Sequence, residues 1–439
     1  MSGDLPLTFQ QEWLWDAVRA NEIWQVTAAR AFRLSGSLDV QLLQQCLREI
    51  CLEHDALRTR IVSLDGSVRQ QIHGCQECAL DCITIAGTSN DQIAENARRC
   101  FEDVCDRRIN LDVEPFWNAR LLELSAHEHW LVLAMHRLIG DCGALEQIYR
   151  ELKPLYGARL QGRPSALKPS AQYSNYTAWQ HQTSGEWTRR HEPYWLRHLD
   201  GATPVRWQVD TDFTVIPPGV LGKAQCSFGR TCSADLLDLA RTIRTLPAVP
   251  MMAIYAAILW RWCGQEDFVL PLNTAGRPTE YKSAIGLFSY ALYLRLHITG
   301  HETFRELVSQ VGNEFFSSLS HQDFGRNACQ RPELLSGTVF QWVTLYPEET
   351  PDELVAIREF GEGMTIVPPG MTALEVSVFD TASGLHAFGS YRADLFKAKT
   401  MERFMAELGW AAELFIHNPD TRIAAIAVHQ RTRGAAQGA

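Results

Sequence analysis

At 439 residues the chain is too long for one ordinary hydrophobic core and long enough for two, so two lobes are the first expectation. Hydrophobic residues at 46% and charged residues at 21% exclude a largely disordered chain, and a formal charge of -10 removes the electrostatic attraction that nucleic acid or an anionic membrane surface needs. Partners are therefore sought among proteins and small molecules, with no nucleic acid and no membrane.

In chain order, Leu5, Phe9, Trp13, Leu14 and Val18 suit one face of a short helix for which Thr8 is the N-cap. Leu42, Leu43, Cys46, Leu47, Ile50 and Cys51 recur with a period near 3.6 residues, which predicts an amphipathic helix over residues 39–53. Strands are expected at 58–62, 119–124 and 130–135. After the last of these, Gly140 and Gly143 turn the chain, so the polar residues His136, Arg137 and Asp141 stand at the end of a buried strand, a place suited to chemistry. A second amphipathic helix covers 144–156. Residues 157–169 are rich in glycine, proline and small side chains and mark the lobe boundary, which gives a first lobe over 1–170 and a second over 171–430. The second carries helices at 248–262 and 304–320, strands at 267–272, 337–345 and 374–379, and a last helix at 398–416 that Pro419 stops. Residues 431–439 read as a disordered tail, and the class as α+β.

The longest apolar run, residues 251–260, ends at Arg261 and is too short to span a bilayer. The first six residues have neither a basic region nor a hydrophobic signal core, so the default location is cytoplasmic and the expected state a monomer. Twelve cysteines scattered through a chain of this size read as reduced thiols. Cys75 and Cys78, flanked by His73 and Cys82, have ligand-like spacing, but a tetrahedral site wants a second pair, so a loop is the better reading and no metal is expected. A hairpin turn explains His127 and His129.

Several short motifs in sequence order carry a resemblance. They are Leu5-Thr8-Phe9-Gln10-Gln11-Trp13-Leu14-Trp15, then residues Glu53 to Ile61, His136 to Cys142, and Tyr173 to Trp179. Gly276-Arg277-Pro278 with Ile285-Gly286-Leu287-Phe288 follows, then His321-Gln322-Asp323 and Tyr391 to Phe396. Over nearly the entire chain the order resembles the condensation-domain family of nonribosomal peptide synthetases. That resemblance implies two chloramphenicol-acetyltransferase-like lobes in a V around a tunnel, in which acyl or peptidyl carrier proteins present thioesters on phosphopantetheine arms and no cofactor is bound directly. The third motif of the family has two histidines, three variable residues, an aspartate and a glycine. Here Arg137 replaces the second histidine and Cys142 the glycine, while Glu53 stands for the usual arginine of the second motif and Tyr290 for the usual asparagine of the fifth.

In the family an amine or hydroxyl attacks a thioester carbonyl, so a site must orient the nucleophile, manage its proton and stabilise an oxyanion. Arg137 stays protonated near neutrality and is excluded as a base, although a guanidinium can hold an oxyanion or a carboxylate. His136 has a side chain that can titrate in the useful range, with a buried structural histidine as the blander reading. Asp141 is expected to fix the turn through an arginine, with Arg58, Arg295 or Arg137 as partner. Cys142 reads as a small buried residue, the alternative being a thiol activated by Arg137. The candidate catalytic residues are thus His136, Arg137 and Asp141, supported by Arg58, Arg295, Gly140 and Cys142, with Ser289, Tyr290 and Gln341 as tunnel-lining candidates. Two functions follow: a condensation-type acyltransferase with a non-standard site, or an inactive platform that recruits tailoring oxygenases, because the histidine-arginine turn is similar to that of recruitment domains in glycopeptide assembly.

Overall fold

In chain order the elements are β1 (Leu5–Pro6), α1 (Phe9–Ala20), β2 (Thr27–Ser35), α2 (Val40–Glu53), β3 (Thr59–Leu64), β4 (Ser67–Ile72), β5 (Leu80–Thr84), α3 (Asn90–Asp106), β6 (Trp117–Ser125), β7 (Glu128–His136), α4 (Cys142–Leu160) and α5 (Tyr173–His198). There follow β8 (Leu221–Ser227), α6 (Gly229–Thr242), α7 (Ala248–Cys263), β9 (Asp267–Thr274), β10 (Tyr290–His297), α8 (Phe304–Ser320), β11 (Thr338–Thr344), β12 (Ala356–Met364), β13 (Leu374–Thr381), β14 (Gly384–Arg392) and α9 (Ala398–His417). This computed structural model describes residues 4–20, 27–64, 66–74, 80–107, 109, 116–210, 220–322, 331–344, 356–364, 371–381 and 384–426. Cys75 and Cys78, Asp323 and the expected tail at 431–439 lie outside the described residues.

The chain divides into two compact units, one of residues 1–185, 275–290 and 347–368, the other of 186–274, 291–346 and 369–439. The first therefore runs past the expected boundary at 170 and takes back two later segments. Hydrogen bonding overrides composition here. Ser170 donates its amide to Glu53 Oε1 at 3.0 Å, and Tyr173 and Ser174 donate theirs to the Asp55 carboxylate at 3.1 and 3.0 Å, which ties the start of α5 to the first unit.

The first unit is built on a five-stranded sheet of order β12-β2-β7-β6-β5, antiparallel except for the β5–β6 pair, beside a small β1-β4-β3 sheet. Ala28, Phe32, Leu131, Leu133 and Met135 on one sheet face pack with Leu43, Cys46, Leu47 and Ile50 of α2 and with α4. Ala29, Ala31, Val132 and Ala134 on the other face pack with Ala97, Phe101 and Val104 of α3. Cover on both faces is why β7 is a continuous apolar run rather than an alternating one. Burying each Leu or Phe of this kind contributes roughly 1.5–3 kcal/mol.

The local signals for helices hold. Asp39 caps α2 by accepting from the Leu42 amide at 2.9 Å. Thr8 accepts from the Gln11 amide at 3.2 Å while the Gln11 side chain accepts from the Thr8 amide at 2.9 Å, a reciprocal cap at the start of α1.

The second unit carries a six-stranded sheet of order β10-β9-β11-β13-β14-β8, in which β11 runs parallel to β9 and β13. Its central helix α7 is buried at every position from Val249 to Leu259, as expected of a segment apolar all round. Among the described residues no helix is long and apolar enough to cross a membrane, and no group of three or more His, Cys, Asp or Glu side chains is placed to hold a metal ion.

Candidate functional site

The turn after β7 is held at its aspartate. Asp141 is the N-cap of α4 and accepts from the Ala144 amide through Oδ1 at 3.0 Å. The same oxygen receives Arg277 Nη2 at 2.9 Å, and Oδ2 receives the amides of Phe288 and Ser289, both at 3.0 Å. An ionised carboxylate offers about four acceptor positions, so all of them are engaged. Arg277 is itself fixed by donating Nη1 to the Ala284 carbonyl and by lying over the Phe288 ring, 4.2 Å from its centroid.

Arg277 is therefore the arginine that pairs with Asp141, in place of the expected Arg58 or Arg295, and no Asp141 bond to Arg137 is among the contacts described. Arg58 serves main chain instead, donating to the carbonyls of Cys51 at 3.1 Å and His73 at 2.8 Å. Arg295 belongs to the second unit, where it forms a two-point pair with Asp267 at 3.0 and 2.8 Å. The signal for Arg277 was present in Gly276-Arg277-Pro278, but one sequence offers no means of choosing among three motif arginines that lie far apart along the chain.

His136 and Arg137 have separate environments. His136 is completely buried, and its Nδ1 accepts from the Leu138 amide at 3.2 Å, so the neutral ring carries its proton on Nε2. Burial, reinforced by the adjacent Arg137 charge, pushes its pKa down to about 3. It therefore stays neutral and does not take up a proton near neutrality. Arg137 is buried to 5% exposure and donates Nη2 to the Ser289 hydroxyl at 2.9 Å.

Gly140 lies in the fully buried part of the turn, where an added Cβ would sit 2.2 Å from Met135 Sδ and 3.0 Å from Ala144 Cβ. Cys142 is the first residue of α4 and half-buried, a helical position that does not require glycine. Ser289 and Tyr290 belong to the first unit, and Gln341, half-buried on β11, belongs to the second. Glu53 explains its own departure from arginine, because the Ser170 amide needs an acceptor that arginine cannot supply.

Other motif residues converge on the same turn. Gln11 Nε2 donates to the Leu138 carbonyl at 2.8 Å and to Gln70 Oε1 at 3.0 Å. Tyr173 donates its hydroxyl to the Leu287 carbonyl at 2.6 Å, and its ring passes so close to Gly286 that an added Cβ there would meet Tyr173 Cδ2 at 2.0 Å. Gln11 and Tyr173 were visible as motif members, but their hydrogen bonds to the Leu138 carbonyl of the turn and to the Leu287 carbonyl before Phe288 were not.

Comparison with known proteins places these motifs in context. Residues 1–435 match the family model for the condensation domain. A linear gramicidin synthase of Brevibacillus parabrevis is 26% identical over 438 residues, an overlap that takes in 96% of this chain and 8% of that one. The chain thus spans less than a tenth of that relative's length. The crystal structure of SgcC5 from Streptomyces globisporus, solved with (R)-(-)-1-(2-naphthyl)-1,2-ethanediol and sucrose, has a TM-score of 0.83 at 22% identity, covering 95% of this chain and all of that one. The X-domain in its complex with OxyB from teicoplanin biosynthesis has a TM-score of 0.76 at 22% identity, covering 97% of this chain and 96% of that one. At such identities the two structures speak to the fold.

Two outcomes are expected at the turn. Asp141→Ala leaves the Arg277 charge buried without its carboxylate and should lower the unfolding free energy by about 3–5 kcal/mol, measured by urea titration; a loss below about 1 kcal/mol would contradict the pairing. For His136, the unfolded ring takes up a proton below its ordinary pKa of about 6.5 while the folded ring does not, so stability is full above that pH and declines as pH falls toward 3. Between pH 6.5 and pH 5 the decline from this group is about 2 kcal/mol. His136→Asn, which keeps an acceptor for the Leu138 amide, should lose that part of the acid sensitivity, and an unchanged pH dependence would count against a buried neutral ring.

Proposed function

Since the chain belongs to the condensation-domain family of nonribosomal peptide biosynthesis, we propose that it transfers an acyl group from a carrier-protein thioester to an amine or hydroxyl, with Arg137 as a hydrogen-bond donor to the developing oxyanion. The observation that carries this reading is the buried Arg137 guanidinium, tied to Ser289 in a turn whose other supports are those of an intact scaffold. The thioester arrives on the phosphopantetheine arm of an acyl or peptidyl carrier protein. As the nucleophile attacks the carbonyl carbon, a C–N or C–O bond forms, the C–S bond breaks, and the thiolate leaves on the carrier arm and takes up the proton that the nucleophile releases. Neither Arg137 nor His136 accepts that proton near neutrality, and every acceptor position of Asp141 is engaged. Transfer then rests on proximity and on oxyanion stabilisation, each a large contribution by itself.

A second reading is a platform that docks a tailoring oxygenase. It is favoured by the fold likeness to the X-domain that was solved with OxyB, together with a turn that holds no general base among His136, Arg137 and Asp141.

The two readings separate in one assay series with a loaded carrier protein, candidate amines and a parallel pull-down with oxygenases. For the acyltransferase, Arg137→Ala should reduce turnover about 100-fold and Arg137→His should not restore it, since a neutral imidazole does not reproduce a charged fork. Between pH 6 and pH 8 the rate should follow the uncharged fraction of the amine, with no limb from His136, whose pKa is held down at about 3. Product formation by the unaltered chain that Arg137→Ala leaves untouched would overturn the role given to Arg137; oxygenase capture with no product for any amine would favour the platform.

A further inference from the structure

The sixth sequence motif opens with His321, which is the C-cap of α8 in the second unit and lies against the end of α5. Three contacts hold it there. Its Nδ1 meets Nδ1 of His191 at 3.0 Å, its carbonyl accepts from the Trp195 indole Nε1 at 2.9 Å, and its ring stacks on Tyr194 with centroids 4.0 Å apart and planes 9° from parallel. His191 is buried to 5% exposure and Trp195 is completely buried. The Tyr194 hydroxyl accepts in turn from Ser317 Oγ of α8 at 3.1 Å, a further tie between the two helices.

A bond between two Nδ1 atoms requires different tautomers: one ring carries its proton on Nδ1 and donates, the other carries it on Nε2 and accepts. A first added proton can enter at Nε2 of the donor ring and leave the bond intact. A second must enter at the accepting Nδ1, and two N–H groups then face each other. We propose that the His191–His321 pair is a proton-operated clasp, which joins the end of α8 to α5 while the pair holds at most one added proton and releases it at the second. The charged and titratable groups around the pair are Arg190, Tyr194, Arg197 and His198 on α5, Glu314 on α8 and Arg295 on β10. The carboxylate of this set, Glu314, lies 3.4 Å from His198 Nε2 and so is turned to a third histidine. Burial, followed by the His321 and Arg190 charges, lowers the pKa of His191 from 6.5; burial, followed by Arg190 and Arg197, lowers that of His321. The folded rings thus resist protons that the unfolded rings accept, so the stabilisation from the clasp is full above pH 6.5 and is lost as pH falls through the lowered values. The two rings titrate as a coupled pair in two steps. The clasp is independent of the reading given to Arg137.

Exchange of the Trp195 indole N–H, held by the His321 carbonyl, reports the clasp and is followed by NMR of the full chain between pH 8 and pH 4.5, each rate taken relative to the intrinsic rate at that pH. The signal is assigned through the neighbouring Tyr194 and His198 rings. Its protection should fall about 10-fold over this range, while the amides of Val376 and Val378 on β13 stay protected. In His321→Asn the side-chain amide offers both a donor and an acceptor near the place of Nδ1, so protection should keep its pH 8 value throughout. Ring nitrogen shifts in the unaltered chain give a readout that needs no variant. At pH 8 one Nδ1 of the pair should be protonated and the other not, and two protons should then enter in separate steps, with indole protection lost at the second. Two rings of the same tautomer at pH 8, indole protection that is constant with pH, or a loss in His321→Asn equal to that in the unaltered chain would each overturn the proposal. So would loss of protection at Val376 and Val378 in step with the indole, which is global unfolding rather than release of a clasp.

Discussion

The Asp141 carboxylate is the constraint on which the rest of the first unit's site depends. It gathers an amide from the start of α4, two amides from the segment before β10 and the Arg277 guanidinium. Burying an ion is costly unless its hydrogen-bonding capacity is filled, and here it is filled by donors both from its own turn and from stretches of chain more than a hundred residues away. The same saturation that makes Asp141 a good fastener fills the acceptor positions of both its oxygens. A carboxylate with four donors on it has no position left for a substrate proton.

That division explains how the turn accommodates its unusual residues. Arg137 donates to Ser289 rather than serving as the arginine of Asp141, so the histidine-to-arginine change leaves the fastener in place and alters only what is presented beside it. Cys142 enters a helical position that does not demand glycine, and Glu53 supplies an acceptor to the Ser170 amide. His136 is committed to its own turn through the Leu138 amide, and burial keeps it neutral. The turn thus holds a buried guanidinium, bonded to the Ser289 hydroxyl, beside a carboxylate bound to Arg277.

Much of this was legible from the sequence where the signal is local. The helix over residues 39–53 announced itself by its period, and β7 by its apolar run ending in polar residues. The location of the turn, and the replacement of its second histidine, could be read directly. Long-range pairings could not be, because Asp141 and Arg277 are separated by 136 positions and nothing local distinguishes Arg277 from Arg58 or Arg295. The first compact unit extends past the linker-like stretch for a related reason. Residues 157–169 have a linker's composition, yet Glu53 and Asp55 bind the backbone that follows and hold it to the first unit. The strand Ala356–Met364, with its charged residues and two glycines, carries little strand signal and owes its conformation to pairing with β2.

Phe288 and Ser289 offer the most direct measurement of the central claim. Both precede β10, and their amides donate to Asp141 rather than to a neighbouring strand, so they owe their protection to that carboxylate. In native-state hydrogen exchange they should exchange only with global unfolding, as slowly as the amides of β7. Exchange at the rate of an open loop, while β7 remains protected, would contradict the account of Asp141 as the group that holds this site together.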